Sequence, residues 1–244
     1  MGLFYLIMSY NKEINLALKD FSIGNKEKAY KKLKNIFYKN KDNDQLRFNL
    51  AVVAQSLNYN DEAKNNYRFL INKNNNFKSM INLYLLYIKE HNYLDALEII
   101  NKLTNTEKNA VSIIKDKAFV LYKLKKYNES ISICENYLKN NTDLNFLNIL
   151  GLNFFSMNNF KESEKIFKKA LDIDKNNAFI LNSLGRMYHE KRDSKNAKKF
   201  LEKAYDLKND AYEIINNLAG FYREEGLYDK SIKLYHEALK INSL

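Results

Sequence analysis

The chain has 244 residues, and 45% of them are hydrophobic, which is ample for a folded core and excludes a disordered protein. Proline is absent and glycine numbers only 6, so the usual helix breakers are missing and an all-α fold is favoured. The net charge of +11 is spread along the whole chain among Glu and Asp, which indicates solvated helix faces rather than a nucleic-acid site.

The first predicted element is an N-terminal apolar extension at residues 1–9. Its opening, MGLFYLIM, is too short to span a bilayer and lacks the basic segment that begins a signal peptide. We expect it to pack on the first repeat or to precede a natural start at Met8. The lone Cys134 excludes an intramolecular disulfide and predicts a reducing, cytoplasmic compartment.

From residue 10 onward one helical phrase is repeated seven times. A small residue marks the same place in each phrase: Ala29, Ala63, Ala96, Ser130, Ser163, Ala197 and Ser231. Successive members are 33 or 34 residues apart, a period typical of helical solenoids. The pattern predicts units at about 10–43, 44–76, 77–110, 111–143, 144–177, 178–211 and 212–244.

These phrases resemble tetratricopeptide repeats, whose units carry a Leu-Gly or Leu-Ala pair followed by Tyr, Gly-x-Tyr and spaced alanines. The seventh unit matches through Leu218, Ala219, Tyr222, Gly226 and Tyr228. The resemblance covers about residues 10–244 and implies a right-handed superhelical solenoid of about seven antiparallel helix pairs. The family's proline is missing between units, where we expect Asn and Asp to end one helix in a left-handed conformation and cap the next.

The repeat has a physical reason. A single helix pair cannot hide its apolar stripe, so each pair is completed only when its neighbour stacks on it. Small residues such as Gly151 and Gly185 are then expected at the closest helix crossings, where a leucine would overpack the core. One continuous array without a domain boundary is the predicted organisation.

Catalytic and metal chemistry is not predicted. His91, His189 and His236 fall at different places in different repeats, with no Cys or carboxylate at metal-ligand spacing. No glycine-rich phosphate loop is present, and no serine nucleophile has a visible base. We therefore predict no enzyme activity, no cofactor and no metal.

The resemblance implies that the first helix of each unit lines a concave groove. The candidate peptide-binding residues are Asn15, Asn49, Asn82, Asn148, Asn182, Asn216, Asn217, Phe48, Tyr122, Phe155, Arg186 and Arg223. The amides resemble the asparagine ladder with which some tetratricopeptide superhelices hold an extended polypeptide. The alternative is that asparagine, abundant throughout this chain, fills these rows by composition, or that tight curvature closes part of the surface.

Three functional hypotheses follow. The first is a non-catalytic scaffold that binds an extended peptide segment of another protein, with an apolar part followed by an acidic part. The second is the N-terminal, substrate-recruiting region of a larger bacterial sulfotransferase or glycosyltransferase. The third is self-association through the uncapped last repeat or through the segment LFYLI near the other end of the chain. Nucleic acid and membrane insertion are not predicted, nor is the family's carboxylate clamp, since Phe119 stands one turn after Lys115 where Asn is required.

Overall fold

The computed structural model describes the backbone over residues 2–106 and 110–242, and side chains over residues 11–104 and 110–241. Every secondary-structure element in those ranges is an α-helix, so the all-α prediction is confirmed. The helices are α1 Gly2–Ser22, α2 Lys26–Lys39, α3 Asp44–Ser56, α4 Asn60–Asn74, α5 Phe77–Lys89, α6 Tyr93–Thr106, α7 Val111–Lys123, α8 Tyr127–Leu138, α9 Leu144–Ser156, α10 Phe160–Ile173, α11 Ala178–Glu190, α12 Ser194–Leu207, α13 Tyr212–Glu224 and α14 Tyr228–Asn242. The expected packing of the extension at residues 1–9 lies outside the described side chains.

The chain divides into two compact units, and the division falls within α7, between Ile113 and Ile114. In the first unit α2 packs on α3 and α4 packs on α5. In the second unit α8 packs on α9, α10 on α11, and α12 on α13. Within each unit the second helix of one pair therefore covers the first helix of the next, as the repeat predicts.

The turn inside each helix pair has one conformation throughout. Its central residue has a positive φ and is Gly24, Asn58, His91, Lys125, Asn158, Arg192 or Gly226. In all seven turns the next residue donates its N–H to the carbonyl five residues earlier, at 2.8–2.9 Å. This is a Schellman ending of the first helix. The left-handed Asn expected between pairs occurs, among the described residues, only at Asn75.

A non-glycine residue in this left-handed conformation is strained, because its β-carbon crowds the backbone. Lys125, with φ 61°, is such a residue. We expect Lys125→Gly to raise the free energy of unfolding by about 0.5–1 kcal/mol. Lys169→Gly, within α10, should instead lower it by about 1 kcal/mol, because glycine is unfavourable inside a helix. Urea unfolding of both variants checks the two signs, and a loss of stability in Lys125→Gly would contradict the strain.

Asparagine and aspartate begin the first helices of several pairs, as predicted. Their side chains accept a backbone N–H at 2.7–3.2 Å at Asn43, Asn76, Asp143 and Asn177. Each such cap satisfies a donor that the helix leaves unpaired and contributes about 1 kcal/mol. The missing proline is thereby replaced by capping side chains.

The small residue of each phrase lies at a helix crossing, and all seven are at most 3% exposed. Where it is serine, its hydroxyl is satisfied within the pair. Ser130, Ser163 and Ser231 donate to carbonyl oxygens of the first helix at 2.8, 3.0 and 2.9 Å. A buried hydroxyl without a partner costs free energy, so these bonds explain why serine replaces alanine without penalty.

Glu164 on α10 ties successive pairs of the second unit together. Lys168 donates to it at 2.7 Å, the Tyr188 hydroxyl of α11 at 2.8 Å, and Lys191 at 3.2 Å. The hydrogen bond from Lys168, followed by those from Tyr188 and Lys191, lowers the pKa of Glu164 from 4.5 to about 2. The ionised form is therefore stabilised by folding.

This tie predicts a pH dependence. A carboxylate with a lowered pKa contributes stability that is complete above pH 4.5 and is lost as the pH falls through about 2. Glu164→Gln should cost about 1 kcal/mol at neutral pH, because partial solvent exposure screens the charges. Denaturant unfolding of both proteins from pH 7 to pH 2 should show the two curves converging at the acid end. A difference that does not change with pH would contradict this role.

Candidate functional site

Two polar pairs connect the first helices of the second unit. The Ser183 hydroxyl of α11 donates to Oδ1 of Asn148 on α9 at 3.1 Å. Nδ2 of Asn217 on α13 donates to Oδ1 of Asn182 on α11 at 3.0 Å. Each pair spans 35 residues of sequence, so the same connection is made twice along the array. Three of the predicted amides, Asn148, Asn182 and Asn217, therefore connect neighbouring repeats.

The asparagine side chains differ in which of their hydrogen-bonding groups remain unpaired. Asn182 is 2% exposed, and its carbonyl is occupied by Asn217. Asn148, Asn216 and Asn217 are half-buried. Within the described part of the chain, the NH₂ group of Asn148 and the carbonyl of Asn217 make no hydrogen bond, and neither does the Asn216 side chain. Donors and acceptors thus remain at the surface of α9 and α13.

Arg186 connects an aromatic ring to a carboxylate across three helices. Its guanidinium carbon lies 5.8 Å from the centroid of the Phe155 ring on α9. Its Nη1 lies 3.8 Å from a carboxylate oxygen of Glu213 on α13, and 37% of its side chain is exposed. Arg223 on α13 is exposed and lies 3.6 Å from Glu224. The sequence did not single out Glu213.

We refer to Asn148, Phe155, Arg186, Asn216, Asn217 and Arg223 as the α9–α11–α13 face. It combines spare amide groups with two guanidinium groups and an accessible ring. Arginine suits carboxylate partners because its planar fork presents several N–H donors at once. The face therefore has the groups needed to bind a peptide backbone and acidic side chains.

The candidate residues of the first unit are arranged differently. Asn15 is exposed, whereas Asn49 accepts a hydrogen bond from Gln45 at 2.9 Å. Asn82 donates to the buried Tyr67 hydroxyl at 3.2 Å, and the Phe48 ring lies 6.0 Å from the Tyr67 ring. Tyr67 thus contacts two of the candidate residues, and the sequence did not single it out.

Tyr122 is half-buried on α7, with its ring 6.2 Å from the ring of Tyr127. Both rings belong to the helix pair α7 and α8. Tyr122 also packs at the edge of a core cluster that contains Ile149 and Leu150 of α9. Its place in a binding groove stays a prediction.

The histidines and the cysteine occupy ordinary structural positions. His91 forms the turn before α6, His189 lies 3.1 Å from Glu224, and His236 is exposed on α14. Cys134 is fully buried, and burial raises its pKa to about 12. In the part of the chain that the structure describes, no group of three or more His, Cys, Asp or Glu side chains could hold a metal ion.

Two surface clefts lie at the same place in the repeat, one in each unit. The first, of about 230 Å³, is formed by α4, α5 and α6, and the second, of about 310 Å³, by α12, α13 and α14. Four charged positions are reversed between them: Arg68, Asp95, Glu98 and Lys102 in the first correspond to Glu202, Lys230, Lys233 and Glu237 in the second. The same arrangement of three helices thus carries opposite charges in the two clefts. An alignment of the repeats in sequence would have revealed this reversal.

Three segments of the chain match models of a known protein family. Family models described as tetratricopeptide repeat match residues 144–177, 180–210 and 214–243. The chain carries tetratricopeptide repeats. All three matches fall in the second unit, whose phrases are also the most regular in sequence. No curated protein sequence matches this tetratricopeptide repeat protein.

Solved structures share its fold at low sequence identity. A tetratricopeptide repeat protein from Parabacteroides merdae is 15% identical, with a TM-score of 0.88 over 96% of this chain and 93% of the other. The C-terminal part of a TPR repeat-containing protein from Cytophaga hutchinsonii is 15% identical, with a TM-score of 0.62 over 95% and 96%. YrrB, a TPR protein with an unusual peptide-binding site, is 17% identical, with a TM-score of 0.54 over 75% and 95%.

Among the described residues of this tetratricopeptide repeat protein, no helix is both long enough and apolar enough to cross a bilayer. The cytoplasmic location stays a prediction.

Proposed function

We propose that this tetratricopeptide repeat protein is a scaffold that binds an extended segment of another protein along its α9–α11–α13 face. Solenoids of this type use their extended concave surfaces to bind partners. The observation that carries the proposal is the spare hydrogen-bonding capacity of Asn148, Asn216 and Asn217 beside Arg186. An amide offers a donor and an acceptor that match a peptide group whatever side chain it bears.

The charges of the face favour an acidic segment that contains an aromatic or aliphatic residue. Arg186 and Arg223 would pair with carboxylates, and the Phe155 ring offers an apolar contact. The Glu213 carboxylate already lies 3.8 Å from the Arg186 guanidinium group. A carboxylate of the partner would therefore replace Glu213 as the group that neutralises Arg186. The peptide-binding site reported for YrrB is a precedent within the fold.

Reversing the two arginines should abolish selection for acidic peptides. We expect Arg186→Glu/Arg223→Glu to weaken binding of acidic, aromatic-containing peptides at least about tenfold, because attraction becomes repulsion. Peptide arrays of matched acidic and basic sequences, followed by titration calorimetry, measure this. Lys169→Glu/Lys199→Glu makes the same change of net charge on exposed residues of second helices and should leave binding unchanged. Equal binding by both double variants would contradict the proposed site.

The amides are tested separately. Asn148→Ala/Asn216→Ala removes spare groups without orphaning a buried one, since the Ser183 hydroxyl can donate its one proton to the Phe179 carbonyl at 3.0 Å instead. Peptides of either charge should then bind less tightly, because the amides contact the backbone rather than the side chains. Asn217 is left in place, as its removal would leave the buried Asn182 carbonyl unpaired.

The alternative is that the repeats recruit substrates for a transferase. In that case the α9–α11–α13 face would hold an acceptor protein, so the peptide titrations described above test this alternative as well. The absence of catalytic activity also stays a prediction. The scaffold function is therefore proposed from the hydrogen-bonding groups and charges of the α9–α11–α13 face.

A further inference from the structure

Two carboxylates of α13 contact the basic groups of the α9–α11–α13 face. Glu213, near the beginning of α13, lies 3.8 Å from Nη1 of Arg186 on α11. Glu224, the last residue of α13, contacts two bases: its Oε2 lies 3.1 Å from Nε2 of His189, and its Oε1 lies 3.6 Å from Nη2 of Arg223. Both guanidinium groups of the face are therefore neutralised by carboxylates of the same chain.

Neither carboxylate is fixed in place. The Glu213 side chain is 63% exposed and that of Glu224 is 57% exposed. In the described part of the chain, no hydroxyl, amide or backbone N–H donates to either of them. Glu164 differs, because it is 23% exposed and accepts hydrogen bonds from two lysines and from Tyr188. Exposed ion pairs are weak, so a partner can displace Glu213 and Glu224.

The spare amide groups of α13 lie between these two carboxylates. Asn216 and Asn217 are three and four residues after Glu213, and Glu224 is seven residues after Asn217. Such spacings place side chains on one side of a helix. A peptide backbone that hydrogen-bonds to Asn216 and Asn217 would therefore pass beside Glu213 and Glu224.

We propose that Glu213 and Glu224 mask the α9–α11–α13 face: they pair with its arginines when no partner is bound, and an acidic segment binds by displacing them. This inference rests on the function proposed above. Masking lowers the affinity for acidic segments, because the displaced carboxylates compete for the same guanidinium groups. It also favours segments with two acidic residues, since one carboxylate cannot replace both Glu213 and Glu224.

Removing the two charges tests the mask. Glu213→Gln/Glu224→Gln keeps the size of both side chains, and we expect it to bind acidic, aromatic-containing peptides about five- to tenfold more tightly than the parent at low salt. Matched peptides with Gln in place of the acidic residues should bind both proteins equally. Asp172→Asn/Asp206→Asn makes the same change of net charge on exposed residues of α10 and α12 and should leave both affinities unchanged. Titration calorimetry measures these affinities.

A double-mutant cycle separates displacement from a general change of electrostatic field. In an Arg186→Gln/Arg223→Gln background the arginines are no longer there to be masked. The same two glutamate-to-glutamine changes should then alter the affinity for acidic peptides by less than about twofold. An equal gain in both backgrounds overturns the masking, because it would report only the loss of two negative charges.

The parent and the Glu213→Gln/Glu224→Gln variant together distinguish masking from the binding function. If the parent selects acidic over basic peptides and the variant binds them no more tightly, masking is overturned and the scaffold function stands. If neither protein selects acidic peptides, the binding function is overturned and the inference falls with it. The variant should match the parent in urea unfolding. A loss of stability with unchanged affinity would assign both carboxylates to joining α11 and α13, which also overturns masking.

Discussion

Replacing Gly185 with leucine is expected to lower the free energy of unfolding by about 3 kcal/mol. A β-carbon on Gly185 would lie 2.7 Å from Cγ of Leu201 and 3.0 Å from its backbone nitrogen. The nitrogen belongs to α12 and cannot move without displacing the helix. Even Gly185→Ala should therefore destabilise the protein, by about 1–2 kcal/mol, although alanine is the better helix former. Urea unfolding followed by circular dichroism measures both losses.

Gly220 provides the matched control within the same type of helix. It lies in α13, and a β-carbon there would find its nearest contact at 3.8 Å, on the Tyr235 hydroxyl. With no crowding, Gly220→Ala should raise the free energy of unfolding by up to about 1 kcal/mol through helix propensity. Opposite signs for the two glycine-to-alanine changes are the expected result. A gain at both positions would show that the α11–α12 crossing is not close enough to require glycine.

The period of the sequence predicts this crossing because packing and connectivity repeat together. The same spacing that aligns Ala197 with Ser231 also places Gly185 and Ala219 opposite them. The turns recur with the same period, but the type of residue at their central position does not. Lys125 and Arg192 adopt the conformation that Gly24 adopts, because the Schellman bonds and the stacking of the pair outweigh the local preference. Sequence reasoning had assigned the left-handed positions to asparagine between pairs.

The binding surface was less predictable, since exposure depends on the neighbouring repeat. Asn182 and Asn216 occupy equivalent positions, yet Asn182 is 2% exposed and Asn216 is half-buried. The leucine of the paired motif is at most 4% exposed at Leu50 and Leu150 but 50% exposed at Leu16 on α1. A row of identical residues thus contains both structural and accessible members. The sequence period shows that these residues occupy equivalent positions. Only the contacts of each residue in the structure show whether it is buried between repeats or accessible to a partner.

Phe167→Ala is expected to produce the largest loss, about 3–5 kcal/mol. The Phe167 ring is fully buried in the core of the second unit, where Leu147 and Leu184 belong to the same cluster. Removing it leaves a cavity between helices whose backbones are held by several other contacts, so the core cannot collapse to fill the space. Denaturant unfolding measures the loss. A cost below about 1.5 kcal/mol would mean that neighbouring helices move to close the cavity.

Gly151 is the complement of that ring, and the two should be coupled. A β-carbon on Gly151 would lie 2.5 Å from Cε1 of Phe167, so Gly151→Ala should destabilise the parent protein. In the Phe167→Ala background the obstructing ring is gone, and alanine should become neutral or favourable for α9. A double-mutant cycle should therefore give a coupling free energy of about 1–3 kcal/mol between two positions sixteen residues apart in sequence. Additivity within about 0.5 kcal/mol would mean that the glycine is retained for another reason, and that small and large residues at this crossing are not chosen as a pair.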